Sequence, residues 1–83
     1  MSDKIYEVKS PLMGTFYRSS SPEEAPLVKI GQKVNTSDVL CIIESMKIFT
    51  EIRCEHGGVV KEILMENEDM AMKNQTLIII EKE

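Results

Sequence analysis

Tryptophan is absent and aromatic residues make up only 5% of the chain, so any core must be filled by aliphatic side chains. There are two cysteines, Cys41 and Cys54, without CxxC spacing, and a single histidine, His56. That excludes a disulfide framework, and Cys54-Glu55-His56 offers too few ligands for a structural zinc site. Cys41 sits in an apolar run and reads as a small core residue. A disulfide between the two cannot be assigned from sequence; a reduced, cytoplasmic protein is the expectation. No apolar run approaches the ~20 residues of a membrane span, and no basic-then-apolar stretch suggests secretion. Lys plus Arg number 10 against 14 acids, a net charge of −4, and no basic block offers a surface to nucleic acid.

What remains is aliphatic and β-branched. Apolar residues are 42% of 83, enough for one domain over residues 1–83 near the lower size limit for an unstapled core. Ile5–Val8 alternates like a short strand. Thr15-Phe16-Tyr17 resumes extended character after Pro11 and Gly14. Val39–Ile43 and Ile48–Ile52 are strand-like runs joined through Ser45-Met46-Lys47, a link short enough to demand a tight hairpin. Two-residue hairpin loops favour Asn-Gly or Asp-Gly, because both central residues need positive φ. Met46-Lys47 breaks that rule, and a broken local rule at a conspicuous place points to function. Beyond Gly57-Gly58, Val59-Val60, Ile63–Met65 and Leu77–Ile80 read as further apolar segments around an acidic loop, Glu66–Asp69. Met65, Met70 and Met72 read as core or rim packing.

The chain also repeats itself. Residues 28–44 lie over 65–81 without a gap at an offset of 37, and Leu40, Ile42, Ile43 and Glu44 meet Leu77, Ile79, Ile80 and Glu81. Residues 5–14 lie over 49–58 at an offset of 44, aligning Glu7 with Glu51 and Gly14 with Gly58. The difference, 44 − 37 = 7, places an insertion of about seven residues between Gly14 and Val28, where Ser19–Pro26 lies. The expected fold is therefore all-β: a flattened barrel or sandwich of two antiparallel sheets with a pseudo-two-fold axis. The Met46-Lys47 turn would lie at one end and both termini at the other. Ile42 and Ile79 are expected to be equivalent core positions.

Glu44-Ser45-Met46-Lys47-Ile48 resembles the attachment motif of biotinyl domains, usually Glu-Ala-Met-Lys-Met or -Leu, with Ser45 for Ala and Ile48 for Met or Leu. Ser10–Arg18 is similar to the segment before the protruding "thumb" of the carriers in the acetyl-CoA carboxylase branch, with Ser20 where many relatives have Pro. The similarity runs from about Val8 to Glu81. Lipoyl domains share the fold but usually carry Asp-Lys-Ala at the hairpin and no thumb.

The resemblance implies the biotinyl/lipoyl-domain fold with a thumb insertion, and biotin amide-linked to Lys47 by a biotin protein ligase. It implies recognition by that ligase through Glu44, Ser45, Met46, Ile48 and Glu81. The thumb residues Ser19, Ser20, Ser21, Pro22, Glu23, Glu24, Ala25 and Pro26 are expected to contact biotin. No catalytic or metal-binding cluster stands out, so the chain reads as a carrier rather than an enzyme. Its implied partners are biotin carboxylase and a carboxyltransferase that forms malonyl-CoA from acetyl-CoA for fatty acid synthesis. The resemblance further implies a C-terminal piece of a longer carrier, monomeric in isolation. Two alternatives stay open: a carrier of another biotin-dependent carboxylase or decarboxylase or a lipoyl-type module, and an unmodified interaction domain.

Overall fold

A computed structural model describes residues 4–21 and 23–82, and Pro22 of the expected thumb lies outside them. Eight strands follow one another: β1 (Ile5–Lys9), β2 (Gly14–Tyr17), β3 (Lys33–Val34), β4 (Val39–Ser45), β5 (Ile48–Arg53), β6 (Gly58–Ile63), β7 (Met70–Ala71) and β8 (Thr76–Lys82). They form two four-stranded antiparallel sheets, in the orders β1-β8-β6-β3 and β5-β4-β2-β7. Each sheet thus takes strands from both halves of the chain. The molecule is flattened, 37 × 26 × 20 Å.

The repeat seen in the sequence is a repeat in space. Cys41 faces Ile52 across β4 and β5, while Ile78 faces Val8 across β8 and β1. Gly14 pairs with Ala71 and Gly58 with Val34. The buried set is symmetric in the same way: Val8 with Ile52, Phe16 with Val60, Val28 with Met65, Val34 with Ala71, Leu40 with Leu77, Cys41 with Ile78, and Ile43 with Ile80. Several of these equivalent positions carry side chains of different size, Phe16 against Val60 and Cys41 against Ile78, so the burial is repeated while the residues that fill it are not. Each buried aliphatic side chain contributes about 1.5–3 kcal/mol.

The expectation for Ile42 and Ile79 is corrected here. Ile42 is buried and Ile79 half-buried, but neither belongs to the core cluster; Cys41, Ile43, Ile78 and Ile80 point inward instead. The cause is a bulge in each half. Val39 pairs with Arg53 and Cys41 with Ile52, leaving Leu40 extra; Val8 pairs with Ile78 and Lys9 with Thr76, leaving Leu77 extra. One added residue turns every following side chain to the other face. Both bulge leucines are themselves buried.

The cysteines are free and buried. Burial pushes the Cys41 thiol up to about 12. Cys54 donates its thiol to the His56 carbonyl at 2.8 Å, as Ser10 donates its hydroxyl to the Leu12 carbonyl at 2.6 Å in the equivalent place. The triplet Cys54-Glu55-His56 is accordingly a turn, with Tyr6 donating to Glu55 Oε1 at 2.9 Å across it. Of the methionines read as core or rim, Met65 is core, whereas Met70 and Met72 are exposed.

Candidate functional site

β4 is an inner strand, held on one side by β2 and on the other by β5. Its inward residues pin the register, because a slip would expose them. The register closes with Ser45 opposite Ile48, leaving two residues for the turn. Both take positive φ, Met46 at 54° and Lys47 at 66°. This is the backbone that a two-residue hairpin of matching twist requires. For side chains other than glycine it costs on the order of 1–3 kcal/mol per residue. Neither the Asn nor the Gly that would relieve that cost is present. The result is a lysine at the outermost point of a rigid ladder. Met46 and Lys47 are exposed, and the Lys47 amine has no hydrogen bond or ion pair among the described residues.

The motif residues around the lysine divide. Ser45 is half-buried in the closing pair, and Ile48 is exposed as the first residue of β5. Glu44 lies on the outer face of its sheet, opposite Phe49 on β5 and Thr15 on β2. Tyr17 donates its hydroxyl to Glu44 Oε1 at 2.9 Å. That bond, with a smaller part from burial, raises the Tyr17 phenol above its ordinary value. Glu81 is not brought to the hairpin. It is on β8 in the other sheet, paired with Ile5 and Val59, in the place that corresponds to Glu44 in the second half.

The insertion between β2 and β3 closes on itself. The Leu27 amide donates to the Arg18 carbonyl at 2.7 Å, the Glu24 amide to the Ser21 carbonyl at 3.1 Å, and Ser19 Oγ to the same carbonyl at 2.8 Å. Its base is tied to the loop before β7 by the Arg18 amide, which donates to Asn67 Oδ1 at 2.8 Å. Ser19 and Ser21 are half-buried, whereas Ser20, Glu23, Glu24, Ala25 and Pro26 are exposed. Between the three serines and the outer sheet face lies a cavity of about 300 Å³, with Tyr17, Ile42 and Phe49 on its apolar side and Asn67 and Glu68 of the loop before β7 completing its polar wall. Ile42 is only 8% exposed although it faces away from the core.

Tyr17 and Phe49 escaped the sequence reading, as did the outward direction of Ile42. Tyr17 alternates with buried Phe16 on β2, a signal that was legible. Phe49 was not legible, since its run of apolar and polar residues fits either face.

Comparison with known proteins bears on this geometry. The model of the biotin/lipoyl family, described as "Biotin-requiring enzyme", matches residues 6–80. The chain belongs to that family. Among curated family members, the biotin carboxyl carrier protein of acetyl-CoA carboxylase from Haemophilus influenzae is 46% identical over 74 residues, covering 89% of this chain and 48% of the relative. The Nostoc protein of the same description is 41% identical over 80 residues, 96% of this chain and 44% of its own length. The chloroplastic carrier protein 1 of Arabidopsis thaliana is 43% identical over 89% of this chain and 26% of its own. The chain thus spans half or less of the curated relatives it matches. The crystal structure of Kluyveromyces lactis urea carboxylase contains the same fold, with a TM-score of 0.78 and 26% identity over 92% of this chain and 6% of that one.

The residues present fit the covalently held group that this family's name implies. An amide link needs a primary amine that is accessible and not engaged elsewhere, and Lys47 meets both conditions. A bicyclic, partly apolar group with a polar ureido edge also matches a cavity with aromatic and aliphatic residues on one side and serines on the other.

Proposed function

We propose that Lys47 is the biotin attachment site and that this chain is the biotinyl domain of the carrier protein of an acetyl-CoA carboxylase. The observation that carries the reading is the pair of positive φ angles at Met46 and Lys47, a strained tip that presents one free amine. Curated relatives at 41–46% identity, all named as carriers of that enzyme, support the choice of carboxylase. On this reading residues 1–83 are one domain, the C-terminal part of a longer carrier, monomeric alone and resident in the cytoplasm.

Biotin, when bound, supplies a ureido nitrogen that accepts a carboxyl group and later releases it. The chain's own residues do the rest. The Lys47 stem is the tether, and a tether raises local concentration at each partner site. The strained two-residue turn fixes where the tether starts. Tyr17 and Phe49 offer an apolar face on which the ring can rest, with Ser19, Ser20 and Ser21 beside it as hydrogen-bonding groups. Each such bond contributes only about 0.5–1.5 kcal/mol net, so the arm is released readily. The partners on this reading are a biotin protein ligase, a biotin carboxylase and a carboxyltransferase that converts acetyl-CoA to malonyl-CoA.

A second reading is a carrier of a different biotin-dependent carboxylase, favoured by the fold shared with urea carboxylase. The Haemophilus relative is the more similar in sequence, so the acetyl-CoA enzyme is preferred.

The test is loading. Incubation with ligase, ATP and biotin should add the mass of one biotinyl group, and Lys47→Arg should abolish this while leaving the thermal midpoint unchanged. Arginine keeps the charge but supplies no neutral amine. Streptavidin capture of the folded Lys47→Arg protein would overturn the assignment.

A further inference from the structure

Beside the lysine turn, and separate from the serine-walled cavity, lies a groove of about 270 Å³ bordered by Met13, Met46, Met70, Thr15, Glu44 and Ser45. The methionines come from three parts of the chain, and all are exposed: Met13 54%, Met46 91% and Met70 58%. Nothing in the fold requires apolar side chains there. At the place related by the repeat, Gly57 of the second half stands where Met13 does, and Lys33 of the first half stands where Met70 does. Methionine is unbranched and polarizable, so a cluster of it makes an apolar surface that adapts to an incoming side chain.

We propose that this methionine groove is the docking surface for the enzyme that loads Lys47, a partner presenting an apolar side chain flanked by basic residues. The inference rests on Lys47 being the attachment site. Reach argues for the loading enzyme over the others. The bare amine extends only as far as the lysine's own four-carbon stem, so an enzyme acting on it must come against the body of the hairpin. Enzymes acting on the far end of a loaded arm work beyond the tip and have less need of the groove. Charge argues for a basic flank. Glu44 borders the groove, and exposed Asp69, whose carbonyl accepts from the Phe16 amide of β2, immediately precedes Met70; Glu68 lines the serine-walled cavity instead. Tyr17 holds the Glu44 carboxylate in place, so a complementary guanidinium or ammonium would meet it already oriented.

Steady-state loading of the intact chain by biotin protein ligase tests this. Met13→Gln with Met70→Gln should raise KM for the domain about tenfold with kcat little changed, the loss expected when apolar anchors of an interface are removed. Met13→Leu with Met70→Leu should restore most of it, since shape and apolarity return. Ile30→Gln, a change at a residue 65% exposed in the connection before β3, should leave KM unchanged. Circular dichroism and thermal midpoints establish that each variant is folded. An unchanged KM in the folded Met13/Met70 double Gln variant would overturn the proposal, as would an equal loss in Ile30→Gln. So would a concentration-dependent dimer that the double Gln variant abolishes, because the groove would then belong to a second copy. A KM effect confined to carboxylation of the loaded domain would transfer the groove to the carboxylase and overturn the assignment to the ligase. Failure of the wild-type chain to load at all would instead overturn the attachment site itself, so the two failures are distinguishable.

Discussion

The halves of this molecule, residues 5–45 and 49–82, share few side chains but share their bonding in detail. The Lys29 amide donates to Gln32 Oε1 in one, and the Glu66 amide to Asp69 Oδ2 in the other. The Asn35 amide donates to Asp38 Oδ2, and the Met72 amide to Gln75 Oε1. Asp and Gln exchange places between the two turns while the acceptor stays. Positive φ also repeats, at Ser37 and Asn74 and at Gly31 and Glu68. Duplicated architecture is thus preserved in hydrogen-bond positions, which many side chains can serve, more than in identities.

The differences fall at two places, and both are where function is proposed. One is the turn that joins the halves, whose positive φ angles at Met46 and Lys47 have no counterpart among the described residues. The other is the insertion after Tyr17. In the second half β6 bulges at that level, with Val60 opposite Ile80 and Glu62 opposite Ile79, whereas Tyr17 pairs directly with Ile42. Tyr17 is thereby kept on the outer face, where it meets Glu44 and Phe49. The scaffold is duplicated, and the site is made from what is not.

Three measurements would break or sharpen this comparison. The largest effect is expected in the core. Ile43→Ala and Ile80→Ala should each lose about 2–5 kcal/mol in denaturant unfolding, and nearly equally. A large inequality would show that the two-fold relation of the backbone does not extend to packing energy.

Next come the paired glycines. A Cβ on Gly14 would overlap the Glu44 carbonyl oxygen, and one on Gly58 the Glu81 carbonyl oxygen. Gly14→Ala and Gly58→Ala should therefore both destabilise, by about 1–3 kcal/mol as overpacking does. Gly14→Ala should in addition slow loading of Lys47, since it displaces the strand that leads to the turn. Equal loading by the two folded variants would argue that the turn is insensitive to its base.

The smallest effect on stability is expected from the insertion. Replacing residues 19–26 by a short turn should change unfolding free energy by less than about 1 kcal/mol, because closure entropy varies slowly with loop length. Its effect should appear instead in the ring resonances of the loaded domain and in malonyl-CoA formation. If both are unchanged, the insertion is a passive loop.

The sequence by itself determined much of this. Offsets of 37 and 44 located the two halves and the insertion between them. The two-residue spacing between Ser45 and Ile48 dictated a tight turn, and the misfit of Met46-Lys47 with turn chemistry marked it. These are local or periodic properties, carried by neighbours along the chain. The tertiary structure alone decided which way Ile42 and Ile79 face. Val39–Ile43 and Leu77–Ile80 are apolar throughout, so alternation leaves no trace in them. A single bulged leucine in each half, visible only as cross-strand pairing, sets the direction of everything after it. The two-residue strands β3 and β7 are likewise too short for any periodic signal and exist because β6 and β2 lie beside them. The contacts that furnish the site are of the same kind. Tyr17 and Glu44, 27 residues apart, meet because β2 and β4 are neighbours in the sheet, and sheet neighbours are chosen by packing between layers rather than by the residues alongside.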